Sequence, residues 1–389
     1  MKKFIALLIA VVMVFCLAAC AQTPKTPDTT KAPDAPADNA LTLENIKIGF
    51  VHVSDPSDMG YTYNHDLGTQ KMIADLGLRE DQIVNKYNIP EGSECETALR
   101  ELVEAGCNII FATSFGFEDY VINVAADYPN IEFCHATGYQ AALCGLPNVH
   151  NYFVSAFEAR YLSGIAAGLK TQTNKLGFVA AMELAEVVSG YTAFYLGAKS
   201  VNPDVTMDVM YTNDWNNPTV ESQVAQALID GGCDVLGQHC DSTAPATTAA
   251  ANNVWQCGYN SDMIPAAPNA SLVSSRADWS IYLEYAVNCM IKGEKISTDW
   301  CQGLSEKAVY LSPLNEDIIA DGTKEAIEAA TADILSGKCH VFDGPLTCTA
   351  ITEGADDLNI PEGEYYHESE AASAPSFAYI IPGINIIRG

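Results

Sequence analysis

Apolar residues along the body of the chain fall into short runs separated by longer amphipathic stretches. The runs at residues 46–53, 83–87 and 108–113 have the length of strands, whereas 61–76 and 93–105 space their apolar residues as helices do. Alternation in that order predicts an α/β fold with parallel sheets. The stretch from Ser93 shows the local logic. Ser93 and Glu96 read as a capping box, Cys95, Leu99, Leu102 and Val103 share one face, and Gly106 stops the helix.

The same order returns about 126 to 130 residues later, and residues return with it. Lys47, Gly49, Phe50 and Val51 recur as Lys175, Gly177, Phe178 and Val179. Gly60, Tyr61 and Thr62 recur as Gly190, Tyr191 and Thr192, read as the start of the following helix. Leu102, Val103, Gly106 and Cys107 recur as Leu228, Ile229, Gly232 and Cys233. Such a pattern predicts two related lobes.

In open parallel sheets a ligand lies beyond the carboxyl ends of the strands, where loops and helix N-termini present free backbone donors. The loops at those ends are 54–62, 114–119, 182–191, 212–217, 239–244 and 260–263. They carry flat rings, among them Tyr61, Phe115 and Trp215, to which Trp279 further along the chain is added, and acceptors, among them Asp58, Asp241 and Asp262. Rings and acceptors together suit a planar, hydrogen-bonding ligand. Singly, each such ring also reads as packing and each aspartate as a helix cap.

The ends alter the picture. Lys2 and Lys3, an apolar stretch over residues 4–17, and then Ala18, Ala19 and Cys20 follow the order of a bacterial export signal. Residues 21–45 are Pro, Thr, Ala, Asp and Lys with few large apolar side chains, the composition of a flexible tether. The chain carries a net charge of −29, two units more negative once Lys2 and Lys3 leave. That balance disfavours nucleic acid and anionic membrane surfaces as partners, and no nucleic acid is expected. Of 13 cysteines, Cys16 leaves with the signal, and the rest show no C-x-x-C spacing. Without that spacing or a helical histidine pair, neither a metal site nor a cofactor is expected. Cys107, Cys134 and Cys233 read as buried small hydrophobes, and Cys339 and Cys348 are spaced so that a bridge is open to them.

Several stretches resemble the basic membrane protein family of substrate-binding lipoproteins, which includes purine nucleoside receptors of bacterial ABC importers. They are DPSDMGYTYNHDLG at 55–68, ATSFGFED at 112–119, HATGY at 135–139, KLGFVA at 175–180, AQALIDGGCDVLGQHCDS at 225–242 and GYNSDM at 258–263. The resemblance spans about residues 46 to 345. It implies a type I periplasmic-binding fold of two doubly wound lobes joined by a three-strand hinge. Lobe one would take 46–150 and about 271–305, lobe two 151–270 and about 306–346, with 347–389 as a C-terminal extension ending in an added strand or flap.

It further implies a purine base or nucleoside held between Phe115 and either Trp215 or Tyr61, with Asp241 and Asp262 reading its edge. Ser114, Gly116 and Trp279 complete the expected ligand-binding set. Cys20 resembles the lipobox cysteine, which implies cleavage before it and acylation of its sulfur. The implied protein is an extracytoplasmic, lipid-anchored monomer that hands its ligand to a permease and ATPase complex, touching the membrane through its lipid alone.

Two other readings use the same residues. Ala112, Thr113, Ser114, Phe115 and Gly116 come close to the nucleophile elbow of α/β hydrolases, which would need an acid and His239 or His340. A ligand-binding sensor or adhesin fits the lipobox and tether equally well.

Overall fold

The computed structural model describes residues 40–369 and 372–388. The export signal, Cys20 and nearly all of the tether lie outside the described residues. In chain order the first strands are β1 (Ile48–His52), β2 (Ile83–Lys86), β3 (Ile109–Thr113), β4 (Glu132–Ala136) and β5 (Val149–Val154). Helices α1 (Tyr61–Leu76), α2 (Ser93–Glu104), α3 (Glu118–Asp127) and α4 (Ala141–Cys144) connect them. A second series follows: α5 (Ala156–Lys170), β6 (Lys175–Ala180), α6 (Ala185–Val201), β7 (Thr206–Tyr211), α7 (Pro218–Asp230), β8 (Val235–His239), α8 (Ala244–Ala251), β9 (Trp255–Tyr259) and β10 (Ser271–Ala277). The chain ends with α9 (Ser280–Lys292), β11 (Asp299–Gln302), β12 (Val309–Leu311), α10 (Thr323–Leu335), β13 (Leu346–Ala350), β14 (Leu358–Ile360), β15 (Tyr379–Ile380) and β16 (Ile384–Ile386).

Two sheets result. The first runs β2-β1-β3-β4-β5-β11, parallel throughout. The second runs β16-β7-β6-β8-β9-β10-β12, parallel except for β12. The central strands β1, β3 and β8 are buried at every position, as sheets covered by helices on both faces require. Both sheets therefore turn their carboxyl ends toward one cleft.

The repeated residues have a shared physical reason. Lys47 Nζ donates to the Ala105 carbonyl at the end of α2, and Lys175 Nζ to the Gly231 carbonyl at the end of α7, each at 2.8 Å. A cation at a helix C-terminus satisfies a free carbonyl and complements the helix dipole. Gly49 lies under Leu102 and Cys107, and Gly177 under Leu228 and Cys233, so each glycine makes room for the same pair of side chains. The third repeat is not equivalent in space: Gly60 precedes α1, whereas Gly190 lies inside α6, which starts more than a turn earlier at Ala185.

Other details differ from the sequence reading. Gly92, extended, precedes α2, and Ser93 Oγ donates to Glu94 instead of capping a helix amide, so the capping box is absent. Strand β10 pairs with β9 in the second sheet, which moves the crossing expected near Ser271 to the turn between Ala277 and Ser280. β5 stays in the first sheet to Val154, and α9 packs on α1. The chain crosses between lobes after β5, after β10 and after β11. The extension is not a surface flap. β13, β14 and β15 form a small antiparallel sheet, Phe377 stacks on Phe342 at 4.0 Å, and β16 adds an edge strand beside β7. All eleven described cysteines are free thiols, Cys339 and Cys348 included.

Helices α5 and α6 pack backbone to backbone on the second sheet. A Cβ at Gly197 would sit 1.9 Å from the Tyr161 carbonyl oxygen, and one at Gly164 2.0 Å from that of Phe194. No rotamer relieves contact with backbone. We expect Gly197→Ala to destabilise the fold by about 3 kcal/mol, read by urea denaturation. A loss within about 0.5 kcal/mol would show that the helices separate freely.

Candidate functional site

The slot between the lobes is built from strand ends. Val53 follows β1, Ser114 and Phe115 follow β3, and Thr137 follows β4 on the first lobe's side. Trp215 follows β7, His239 ends β8, Asp241 lies two residues on, and Tyr259 ends β9 on the second. Tyr61 from the first turn of α1 and Glu186 from the first turn of α6 complete the wall of a tight slot. Phe115 and Trp215 give flat apolar surface from opposite lobes. Asp241 and Glu186 give carboxylates.

Asp241 is the most constrained of these groups. Its Oδ1 accepts from Asn260 Nδ2 at 2.9 Å and from the Tyr61 amide of the other lobe at 3.2 Å. Burial holds its carboxyl well above the ordinary 3.8, and the nearby carboxyls of Asp58 and Glu221 add to the effect. Asp58 is itself raised by burial, opposed by the amides of Gly60, Tyr63 and Thr62 that it accepts at the start of α1. Beside them, His239 Nε2 lies 3.5 Å from Glu186 Oε1, and burial lowers the histidine's pKa. Beneath the slot, the buried Arg160 donates to the Gln238 carbonyl at 2.6 Å and lies 3.7 Å over the Tyr259 ring. Glu186 Oε2 is buried with no protein partner.

Five of the residues expected in the site line this slot: Tyr61, Ser114, Phe115, Trp215 and Asp241. Three lie elsewhere. Trp279 is buried in the core of the first lobe, stacked on His65 at 4.2 Å. Asp262 accepts the Ile264 amide in its own turn at 3.0 Å. Gly116 donates its amide to Glu91. Glu186, His239, Tyr259, Thr137 and Val53 were outside the expected ligand-binding set, although Glu186 and His239 stand in loops already marked as strand ends. Ser114 Oγ donates to Glu91 Oε1 at 2.6 Å and has no histidine partner; His135 Nε2 donates to the backbone carbonyl of Ser114 instead. A nucleophile needs a base on its hydroxyl, so the hydrolase reading fails on geometry. Among the described residues no group of three or more His, Cys, Asp and Glu side chains is placed to hold a metal ion.

Hydrogen bonds cross directly from lobe to lobe. Besides Tyr61 to Asp241, Asn216 Nδ2 donates to Ser54 Oγ at 3.2 Å, and Ser261 Oγ donates to the Met59 carbonyl. The cleft is in a closed arrangement.

Two parallel-sheet lobes, three crossings and a slot at facing strand ends are the architecture of a bilobal solute-binding protein. Solved solute-binding proteins share this fold: one from Aeropyrum pernix matches with a TM-score of 0.64 at 17% identity, covering 80% of this chain and 94% of its own. One from Conexibacter woesei matches with a TM-score of 0.62 at 18% identity, covering 76% and 98%.

The sequence is more specific: residues 45–341 match the Bmp family, ABC transporter substrate-binding protein PnrA-like, and the chain belongs to that family. A purine-binding protein of Brucella abortus is 34% identical over 305 residues, 78% of this chain and 85% of that one. A protein of Haloferax volcanii named for glucose binding in an ABC transporter is 29% identical over 333 residues, 86% and 82% of the two chains. The chain is an extracytoplasmic solute-binding protein of an ABC importer, and it acts by binding, not by catalysis.

The raised carboxyl of Asp241 has a consequence for stability. Its folded form keeps a proton that the unfolded chain releases near the ordinary 3.8, so its contribution to stability falls as pH rises above that value. Asparagine at 241 keeps an acceptor for Tyr61 and Asn260 but cannot ionise. We expect ligand-free Asp241→Asn to melt above the parent, by a margin that widens from about pH 4 to about pH 7. A margin that stays flat with pH would show that Asp241 ionises normally.

Proposed function

We propose that the chain binds a purine base or purine nucleoside in the slot between Phe115 and Trp215 and delivers it to a permease and ATPase complex. In this reading it works as a monomer, anchored by a lipid on Cys20. One observation carries it: rings from opposite lobes, Phe115 and Trp215, line one narrow slot together with the buried carboxyls of Asp241 and Glu186. A planar heterocycle fills the space between two rings, and its N–H groups supply the donors that buried carboxyls require. Both hydrogen bonds that Asp241 accepts fall on Oδ1, and Glu186 Oε2 has no protein partner, so each carboxyl keeps an oxygen for the ligand. The name of the Brucella relative supports the same ligand class.

The direct test is calorimetric titration of the soluble chain from residue 41, which forms a compact unit, after unfolding and refolding to remove carried ligand. The panel holds purine and pyrimidine bases, their nucleosides and D-glucose. We expect one-to-one binding of a purine. Phe115→Ala and Trp215→Ala should each weaken it by about 1–3 kcal/mol. Binding of glucose alone, or full affinity in both variants, would overturn the assignment.

The anchor is tested separately. The full chain expressed in bacteria should incorporate a labelled fatty acid and fractionate with membranes, and Cys20→Ala should lose both properties. Label retained in the variant would place acylation elsewhere.

A further inference from the structure

Glu91 belongs to the connection between β2 and α2 and was not part of the expected site. Its carboxylate gathers three donors from two lobes. Oε1 accepts from Ser114 Oγ at 2.6 Å and from the Gly116 amide at 2.7 Å, the residues on either side of Phe115. Oε2 accepts from the indole Nε1 of Trp215 at 3.3 Å, across the cleft. The fit on the first side is close enough to require glycine: a Cβ at Gly116 would lie 2.7 Å from the Glu91 carboxyl carbon.

Trp215 is held from its other end as well, since its carbonyl accepts the Asp241 amide at 2.9 Å. The indole is thus fixed between a backbone contact to the ligand-facing aspartate and a side-chain contact to the opposite lobe. The loop that carries Phe115 is fixed by the same carboxylate. One side chain therefore sets the separation of both rings that border the slot.

We propose that Glu91 is an interlobe clasp, a positioning residue that ties the Phe115 loop to Trp215 and controls how long a bound ligand stays. The proposal rests on the reading that this slot is the ligand site. A carboxylate is suited to the task because it offers acceptor sites on both oxygens and makes stronger hydrogen bonds than a neutral acceptor. The contact across the cleft exists only when the lobes are together. Its loss should speed release and leave capture unchanged, because capture precedes closure.

Stopped-flow kinetics with adenine as the probe tests this on the parent protein, Glu91→Ala, Glu91→Gln, Trp215→Phe and the Glu91→Ala/Trp215→Phe double variant. Phenylalanine keeps a ring but removes the indole N–H. We expect Glu91→Ala to raise the dissociation rate about tenfold, with association rate and melting temperature unchanged. Glu91→Gln should fall between it and the parent. In the Trp215→Phe background the effect of Glu91→Ala should shrink to about twofold, which a general disturbance of the loop would not produce.

Dissociation within twofold of the parent in Glu91→Ala, or an undiminished effect in the Trp215→Phe background, overturns the clasp. If adenine fails to bind, the calorimetric panel decides the purine reading, and the clasp is read without ligand, by solution scattering. Glu91→Ala should then show a larger radius of gyration than the parent, and an equal radius overturns the clasp on its own.

Discussion

A carboxylate buried where two lobes meet governs much of the arrangement. Asp241 is taken out of water at a point that only the closed cleft creates, and one of its two hydrogen-bond donors, the Tyr61 amide, comes from the opposite lobe. That bond requires the backbones to approach closely: a Cβ at Gly60 would lie 2.5 Å from the Asp241 Cα. Asp58 prepares the approach by collecting the amides of Gly60, Thr62 and Tyr63, which turns the first lobe's loop into the start of α1 at the right place. In the proposed function, ligand recognition and lobe closure thus share atoms. A group that loses hydration on closing is compensated by whatever donors the cleft then holds, which is how occupancy can be sensed as shape.

Much of the fold was legible because it rests on periodicity. Buried runs such as Ile109–Thr113 and amphipathic stretches such as Ser93–Glu104 are set by which faces are covered, and covering is written in the spacing of apolar residues. The lobe boundary was harder. β10 reads SLVSSRA, with serines at positions buried by hydrogen bonding, among them Ser274, whose amide donates to Ser312 Oγ. A polar strand that is satisfied by its neighbours leaves no apolar signature. The site was legible in part for a related reason. Phe115, Trp215 and Trp279 all stand at loop edges, but Trp279 turns inward onto His65, and only packing decides which way an indole faces. Glu186 was missed because an acidic residue in the first turn of a helix is what a helix dipole favours anyway, so its presence carries no sign of a ligand.

The duplication shows where two lobes from one pattern are free to diverge. What recurs faithfully is the packing of helix on sheet: Lys47 and Lys175 on helix ends, Gly49 and Gly177 under the same pair of side chains. What has drifted is the cleft side. Gly60 opens its helix at the lobe contact, while Gly190 lies within α6, where an added Cβ would approach His239 Nδ1 at 3.3 Å. The core of each lobe has one way to pack well, whereas the strand ends face a partner lobe that differs from themselves. An asymmetric ligand needs that difference.

The extension beyond the family match works on the same balance. It builds onto the second lobe through β16 and the Phe377 stack, then reaches the first lobe, where Ser373 Oγ and the Ala374 amide both donate to the Gly138 carbonyl at 3.0 Å. Gly138 is a firm mooring, since Glu118 holds the next two amides at 2.8 Å. With the bonds of Tyr61, Trp215, Asn216 and Ser261, the lobes are joined by a handful of contacts, each contributing about 0.5–1.5 kcal/mol net of the water it displaces. A much stronger set would shut the cleft on nothing and hold a captured ligand away from the permease, and a much weaker one would leave closure to the ligand alone. A receptor that must both capture and release is served by many modest interlobe bonds, provided the ligand's own contacts are what tips them.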